Sequence, residues 1–437
     1  MVSVEEIFGG TSSSYTRRED GGDTETICTS CVMKTVNGQD TYVFRDYEMK
    51  ILIEPSCFVT DELQWESPNT VIQAVSAMKT LSNYCAIVKT PFRAFDTAEA
   101  KSFLMFLRGM LSDGTTYSYT LFTQRSEETI AAYLKHIRRY ARWCGIANSP
   151  FLQPKRSLIG NTLYSSMPDN THRIKADTST TTEAPRYISE DDYRKVLAVI
   201  DEDWTAEEKC IVRLMYEHGL RIGEVLGLTT EDLEWTEADD GTPRYAVILR
   251  NRASDKFDQH AKTLMKVSDK KQYTSTDYKK RNHGFQRIYI SSDLFFAISE
   301  YAEEKLSDTQ GRNKADSVKK NGDDNQYLFV NTQGRPLSCN LWNKRLRKIM
   351  VSAGVPIDKE ARKTNLNHRF RHGYAMFLTK TTKANGKPLD DFEIMTLMRH
   401  KSITSTQVYH RPTEEDVHQM QEEITSSILE EIHGASK

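Results

Sequence analysis

The sequence contains no apolar run approaching the roughly 18 residues needed to span a bilayer. Its opening, MVSVEEIFGGTSSSYTRRED, has neither a basic leader nor an apolar signal core. These absences predict a cytoplasmic protein with no membrane partner. Cysteine is sparse: seven residues, at 28, 31, 57, 85, 144, 210 and 339, are odd in number and scattered. That fits a reducing compartment rather than a disulfide framework. Cys28 and Cys31 make one CxxC pair, but no second pair stands at zinc-ligand spacing, so a turn is expected there and no metal site. Excess charge is also missing. With 59 Lys and Arg against 61 Asp and Glu, the net charge is −2, a mild argument against nucleic-acid binding.

What is there weakens that argument. Acidic residues gather in the closing TEEDVHQMQEEITSSILEEIHG, whereas NKRLRK (343 to 348) and ARKTNLNHRFRH (361 to 372) are strongly basic. A neutral chain can therefore carry a local basic face. At 437 residues it should divide into two or three domains.

Residues 1–66 read as a partly disordered N-terminal arm with short strands, DTYVFRDY and MKILIE. Residues 67–150 read as a small helical domain. Ser67 and Pro68 open its first helix, Asp96 caps a second, and Ser126 starts a third, carrying Ile130, Leu134, Ile137, Ala141 and Cys144 at three- and four-residue steps. Arg138, Arg139 and Arg142 on that helix suit either a solvated face or a DNA-facing one. Residues 151–186 are a linker and 187–412 a mainly helical second domain. In it YAVILRNR and FQRIYIS predict two strands of one small sheet, joined by the polar insertion 253–284. Residues 413–437 form a C-terminal helix with Val417, Met420, Ile424, Ile428 and Ile432 at helical steps.

Three separated clusters carry chemistry. HGLRIGEVLGL sets Arg221 three residues before Glu224. NHRFRHGYAMFL sets His368 and Arg371 at i and i+3, which on a helix share one face. RHKSITSTQVYH sets His400 nine residues before Tyr409. A continuous helix would hold those two about 13.5 Å apart along its axis, so acting together requires a turn. Ser402 can cap a fresh helix starting near Ile403.

In that order, HGLRIGEVLGL, HRFRHGYA and MRHKSITSTQVYH resemble the tyrosine recombinases, or phage integrases, and QYLFVNTQGRPLS is similar to the strand and turn preceding their HxxR helix. The resemblance covers 187–412, with 67–146 similar to the family's core-binding domain. It implies a mainly α fold: a helical core-binding domain plus a mixed α/β catalytic domain with a small antiparallel sheet.

The implied activity is site-specific recombination of double-stranded DNA by an integrase or transposase that moves a mobile element. Tyr409 would attack a phosphodiester and hold the 3′-phosphate covalently, freeing a 5′-hydroxyl. An unperturbed phenol is ionised only about once in a thousand at neutral pH, so it needs help. Arg221 and Arg371 offer planar forks to the non-bridging oxygens. His400 and His368 divide phosphate contact and acceptance of the phenolic proton between them, in an order the sequence leaves open. Glu224 supports Arg221.

The family's acid for the 5′ oxygen is a lysine on a turn between strands. Lys262, in HAKTLMK, is the candidate, with Lys266, Lys279 and Lys280 in the same insertion. Arg138, Arg139, Arg142, Lys344, Arg345 and Arg369 are candidates for DNA contact. No metal or other cofactor is implied. The expected assembly is a homo-oligomer, dimeric on a site and tetrameric in synapsis, with the C-terminal helix docking in trans. In a bacterium the protein would be nucleoid-associated. A type IB topoisomerase or telomere resolvase shares the chemistry, and a non-catalytic DNA-binding accessory protein is the alternative of another class.

Overall fold

The computed structural model describes residues 2–434 except 8–13, 23, 37–38, 65, 67, 111–116, 155, 160–161, 166–171, 178–183, 251–264, 266–269, 281–282, 311–326, 332–334, 358–365 and 384. It divides into two units, Met1–Thr180 and Thr181–Lys437. Helices predominate, with small, mostly antiparallel sheets.

In the first unit, strands β1 (Val2–Ile7), β2 (Ser14–Glu19), β3 (Thr24–Ile27) and β6 (Tyr117–Thr120) form a sheet in the order β3-β2-β1-β6. The first two pair antiparallel, with Val4 opposite Arg17 and Glu6 opposite Tyr15. All four of those side chains are buried, as the two-residue period of a strand requires. Burying Glu6 is tolerable because its carboxylate accepts from the Phe122 and Thr123 backbone N–H groups, both at 2.8 Å. Arg17 Nε likewise donates to the Ile87 carbonyl at 3.0 Å. Strands β4 (Ser30–Val36) and β5 (Gln39–Arg45) make a hairpin.

Helices α1 (Ile53–Cys57), α2 (Pro68–Val88), α3 (Thr97–Leu107) and α4 (Glu127–Trp143) complete this unit, apart from a short hairpin of β7 (Arg156–Ile159) and β8 (Thr162–Ser165). Asp96 caps α3 and Ser126 caps α4 through their side chains. Ser67 lies outside the described residues. The strands share one core with the helices: Val4, Tyr15 and Phe44 pack in the same cluster as Met78, Tyr84, Phe103 and Leu134. The stretch MKILIE, expected as a strand, is instead a turn running into α1. Met49 takes a left-handed φ of 66°, and Leu52 N–H bonds back to the Phe44 carbonyl at 2.9 Å.

The second unit begins with α5 (Glu190–Asp203) and α6 (Ala206–Glu217), followed by the one-turn α7 (Ile222–Val225). Its antiparallel sheet has the order β11-β10-β9, from β9 (Leu233–Glu237), β10 (Pro243–Arg250) and β11 (Phe285–Ile290). The two anticipated strands pair from Tyr245 opposite Ile290 to Arg250 opposite Phe285, and LEWTE adds the third. Then come α8 (Ser292–Gln310), α9 (Cys339–Ser352), α10 (Leu366–Lys380), α11 (Asp391–Met398), α12 (Thr404–Gln407) and α13 (Glu414–Gly434). QYLFV makes isolated bridges rather than a regular strand, at Tyr327 and Val330.

The main core gathers Ile211, Leu214, Val247, Leu249, Phe329, Trp342 and Phe370. A smaller cluster of Ala375, Ile394, Met398 and Tyr409 joins α10, α11 and the chain just after α12. Close approach of α10 depends on Gly373: a Cβ there would lie 2.4 Å from the Ile188 carbonyl oxygen.

Candidate active site

The site grows from the end of α6. Gly219 has φ +60°, and a Cβ on it would sit 2.4 Å from the Tyr374 ring. The chain can therefore reverse tightly there and expose the His218 and Gly219 carbonyls. Arg221 follows as the residue preceding the first turn of α7. Its backbone N–H donates to Glu224 Oε2 and its Nη1 to Glu224 Oε1, both at 2.8 Å. Three-residue spacing thus lets one carboxylate grip both ends of the arginine. Glu224 itself is fully buried.

Two more guanidinium groups converge on this loop. Arg371, in the middle of α10 and 3% exposed, donates to the Gly219 and Met398 carbonyls. Arg399 ends α11 in the left-handed conformation, φ 54° and ψ 43°, a position usually given to glycine. Its side chain reaches the Gly219 carbonyl at 3.0 Å, the His218 carbonyl at 3.3 Å and Glu224 Oε2 at 3.1 Å. Three guanidinium groups therefore face one carboxylate. The local positive excess suits an anion, whatever the net charge of the chain.

The left-handed step at Arg399 also supplies the turn that the nine-residue spacing demanded. His400 N–H bonds back to the Met395 carbonyl at 2.9 Å, closing α11. Residue Ile403 precedes α12, and Ser402 Oγ accepts from Thr404 N–H at 3.3 Å rather than from the third helical residue. Buried Thr406 then meets His400 Nδ1 through its hydroxyl at 2.9 Å. The His400 and Tyr409 rings end up parallel, with centroids 6.0 Å apart and planes 9° from each other.

Tyr409 is 5% exposed, and its hydroxyl lies 2.9 Å from His372 Nδ1. His410, the next residue, pairs with Asp391 at 2.7 Å and ties this segment to α11. The sequence expectation placed His368 or His400 at the phenolic proton. The imidazole within reach is His372. His368 stands one turn earlier on α10, its ring centroid 5.9 Å from that of His372.

Electrostatics follow from burial and these neighbours. Burial pulls the Glu224 pKa up, but Arg399, Arg221 and Arg371 outweigh it, leaving the carboxyl below its ordinary range and ionised. Burial, with Arg399 and Arg221 beside it, lowers Arg371 to about 9, so the guanidinium stays charged at neutral pH. Burial lowers His400 to about 4, helped by Arg371 and Arg221, and lowers His372 to about 4, helped by His368 and Arg371. Both imidazoles are neutral near pH 7. Burial raises the Tyr409 phenol despite the opposing pull of Arg371 and Arg221.

The remaining candidates fare differently. Lys262 and Lys266 lie outside the described residues, while Lys279 and Lys280 are exposed, with Lys280 paired to Asp277 at 2.6 Å. Four arginines marked for DNA contact have internal partners. Arg138 donates to the Phe151 and Ile174 carbonyls, Arg139 to Glu62 and Glu66, and Arg345 to Glu207 and Glu208. Their helical positions exposed them on paper, but carboxylates and carbonyls remote in sequence claim them. Arg369 donates to the Pro356 carbonyl at 2.8 Å; Arg142 and Lys344 are exposed.

Sequence reasoning missed His372 and Arg399. Each is adjacent to a residue already chosen, and adjacency on a helix ordinarily points side chains to different faces. No group of His, Cys, Asp and Glu able to hold a metal occurs among the described residues. No described helix is long and apolar enough to cross a membrane.

The model of the phage integrase family matches residues 252–416. A XerC-like tyrosine recombinase of Caldanaerobacter subterraneus subsp. tengcongensis is 27% identical over 205 residues, 45% of this chain and 44% of that protein. The chain thus aligns with less than half the length of that relative. Among solved structures, the XerH site-specific recombinase bound to difH substrate has a TM-score of 0.48 at 16% identity, covering 79% of this chain and 78% of that one. The Tn1549 transposon integrase in complex with transposon right end DNA has a TM-score of 0.46 at 15% identity, covering 84% and 98%. The part of the chain that matches the phage integrase family model, residues 252–416, is the part that holds His368, Arg371, His400 and Tyr409.

Proposed function

We propose that this chain is a site-specific DNA recombinase, cleaving and rejoining strands through a covalent 3′-phosphotyrosine at Tyr409 and serving the movement of a mobile element. The observation that carries this reading is the meeting of a buried tyrosine hydroxyl with neutral imidazoles and with arginines in excess over their one shared carboxylate. Such a site can hold a phosphodiester by its non-bridging oxygens and present a phenol to its phosphorus. Arg221 and Arg371 take the oxygens, where charge develops in the transition state. His400, with Nδ1 on Thr406, turns its other ring nitrogen to the same phosphate. Lys262 is the proposed acid for the departing 5′ oxygen.

Glu224 and Arg399 hold Arg221 in place. A DNA phosphate seated on the arginines would cancel part of the field that depresses the imidazoles. The helical region 67–150 is proposed as the core-binding module on double-stranded DNA, with Arg142 and Lys344 as exposed backbone contacts. In α13, Met420 and Ile424 are exposed at a four-residue step, which supports docking of that helix on a second copy in a dimer or synaptic tetramer.

The test uses a pool of nicked duplexes of random sequence, which trap the covalent state because the cleaved end diffuses away. Wild-type protein should give an SDS-resistant DNA adduct that Tyr409→Phe does not form. DNA binding without any wild-type adduct would overturn the reading in favour of an accessory protein. Strand exchange between two duplexes, rather than relaxation of one supercoiled circle, separates a recombinase from a topoisomerase.

A further inference from the structure

His372 follows Arg371 on α10, yet its ring comes round to the nucleophile: Nδ1 is 2.9 Å from the Tyr409 hydroxyl, with ring centroids 5.6 Å apart. This is the one hydrogen bond of that hydroxyl among the described residues. His400, whose ring lies parallel to the phenol at 6.0 Å, has its Nδ1 engaged with Thr406. The charged and titratable groups about His372 are His368 and Arg371 on its own helix, and His400 and Tyr409 from the segment packed on it.

The geometry points to His372 as the catalytic base that takes the Tyr409 proton during strand cleavage and returns it on rejoining. This inference rests on the strand-cleavage reading above. As the phenolic oxygen forms its bond to phosphorus, the O–H proton passes to His372 Nδ1. The bond from phosphorus to the 5′ oxygen breaks with its electron pair, and that oxygen takes a proton from the acid proposed at Lys262. Nδ1 must be the unprotonated nitrogen beforehand, with Nε2 carrying the hydrogen.

Timing follows from the neighbours. Burial raises the phenol and lowers the imidazole, so the proton does not move ahead of attack. It shifts as phosphorus begins to draw charge from oxygen. The same arrangement makes a poor resting place for the proton, and a reversible reaction needs it given back when the 5′-hydroxyl attacks the phosphotyrosine.

The experiment measures the rate of adduct formation on a nicked duplex recovered from the random pool, from about pH 6 to about pH 10. Wild-type protein should be nearly flat up to about pH 8, below the range in which Arg371 loses charge, and each variant is read as its ratio to wild type at the same pH. His372→Gln keeps a hydrogen-bonding group beside the phenol but cannot take its proton. It should be slower by about 100-fold or more near neutrality, with a rate that climbs as pH rises towards the phenol's own pKa. Fluorotyrosine at position 409, being more acidic, should restore His372→Gln and leave Arg371→Ala unrestored.

Rates for His372→Gln equal to wild type, or lowered equally at every pH with no gain from fluorotyrosine, would overturn the inference and leave the recombinase reading standing. If His368→Ala shows the alkaline recovery instead, His368 is the base and the inference fails. Absence of any wild-type adduct removes both readings together. Thermal unfolding of each variant separates a folding defect from a chemical one, and the fluorotyrosine arm stays decisive because a more acidic phenol can restore lost proton transfer but not a lost fold.

Discussion

Arginine meets acid in two regions of this molecule, with different consequences. On α4, Arg139 is shared between Glu62 and Glu66, and Arg138 is held by two carbonyls. Positive charge there is matched and partly solvated. In the loop after α6, Arg221 and Arg399 divide the single buried carboxylate of Glu224 while Arg371 rests on carbonyls alone. Charge there exceeds its acid and, at Arg371 and Arg399, is deeply buried, so it interacts more strongly with an arriving anion. A basic cluster in sequence can therefore be structural cement, whereas a buried arginine with too few acids is poised for a ligand.

The largest expected effect would break the second region at its nucleophile: Tyr409→Phe should abolish the SDS-resistant adduct while leaving DNA binding intact by mobility shift. Next, Arg371→Ala or Arg221→Ala should slow adduct formation by about 100- to 1,000-fold, the usual cost of losing one preorganised donor to a developing charge. Arg139→Ala, as the counterpart from the first region, should leave that rate unchanged.

Arg399→Met should lower stability by about 1–3 kcal/mol in urea unfolding, because the buried Glu224 carboxylate loses one of its two arginines and keeps Arg221. Arg399→Lys should recover part of it. The same change on α4, Arg139→Met, should cost about 1 kcal/mol or less, since both its acids are partly solvated.

Acid should sharpen the contrast. Unfolded histidine takes its proton near pH 6.5, but folded His372 and His400 take theirs only at about 4. Between those values the unfolded chain binds more protons, so stability should fall as pH drops from 6.5 towards 4. Urea midpoints measured against pH should show a shallower fall in His400→Gln.

Much of the second unit was readable because its signals are local. The helical character of this unit was legible as a whole, and the short apolar stretches in YAVILRNR and FQRIYIS located β10 and β11, despite the long insertion between them. The His400-to-Tyr409 spacing required a turn that the structure contains, though Arg399 in a left-handed conformation makes it rather than Ser402. The packing of residues 1–66 was not readable: β1 and β2 bury Glu6 and Arg17, and polar residues at core positions disguise a strand as an arm. Nor were the partners of Arg138, Arg139 and Arg345, which come from segments remote in sequence or from backbone.

The chain's residues alone determined which chemistry was on offer: a tyrosine, arginines and histidines at spacings that a helix or a turn converts into shared faces. Only the tertiary structure decided which imidazole touches the phenol and which arginine completes the grip on Glu224. Helical spacing ranks neighbours along a single element, whereas Tyr409 meets His372, and Arg399 meets Glu224, across elements 37 and 175 residues apart. Those contacts depend on how closely α10 can approach its neighbours, which Gly373 and Gly219 permit by lacking a side chain.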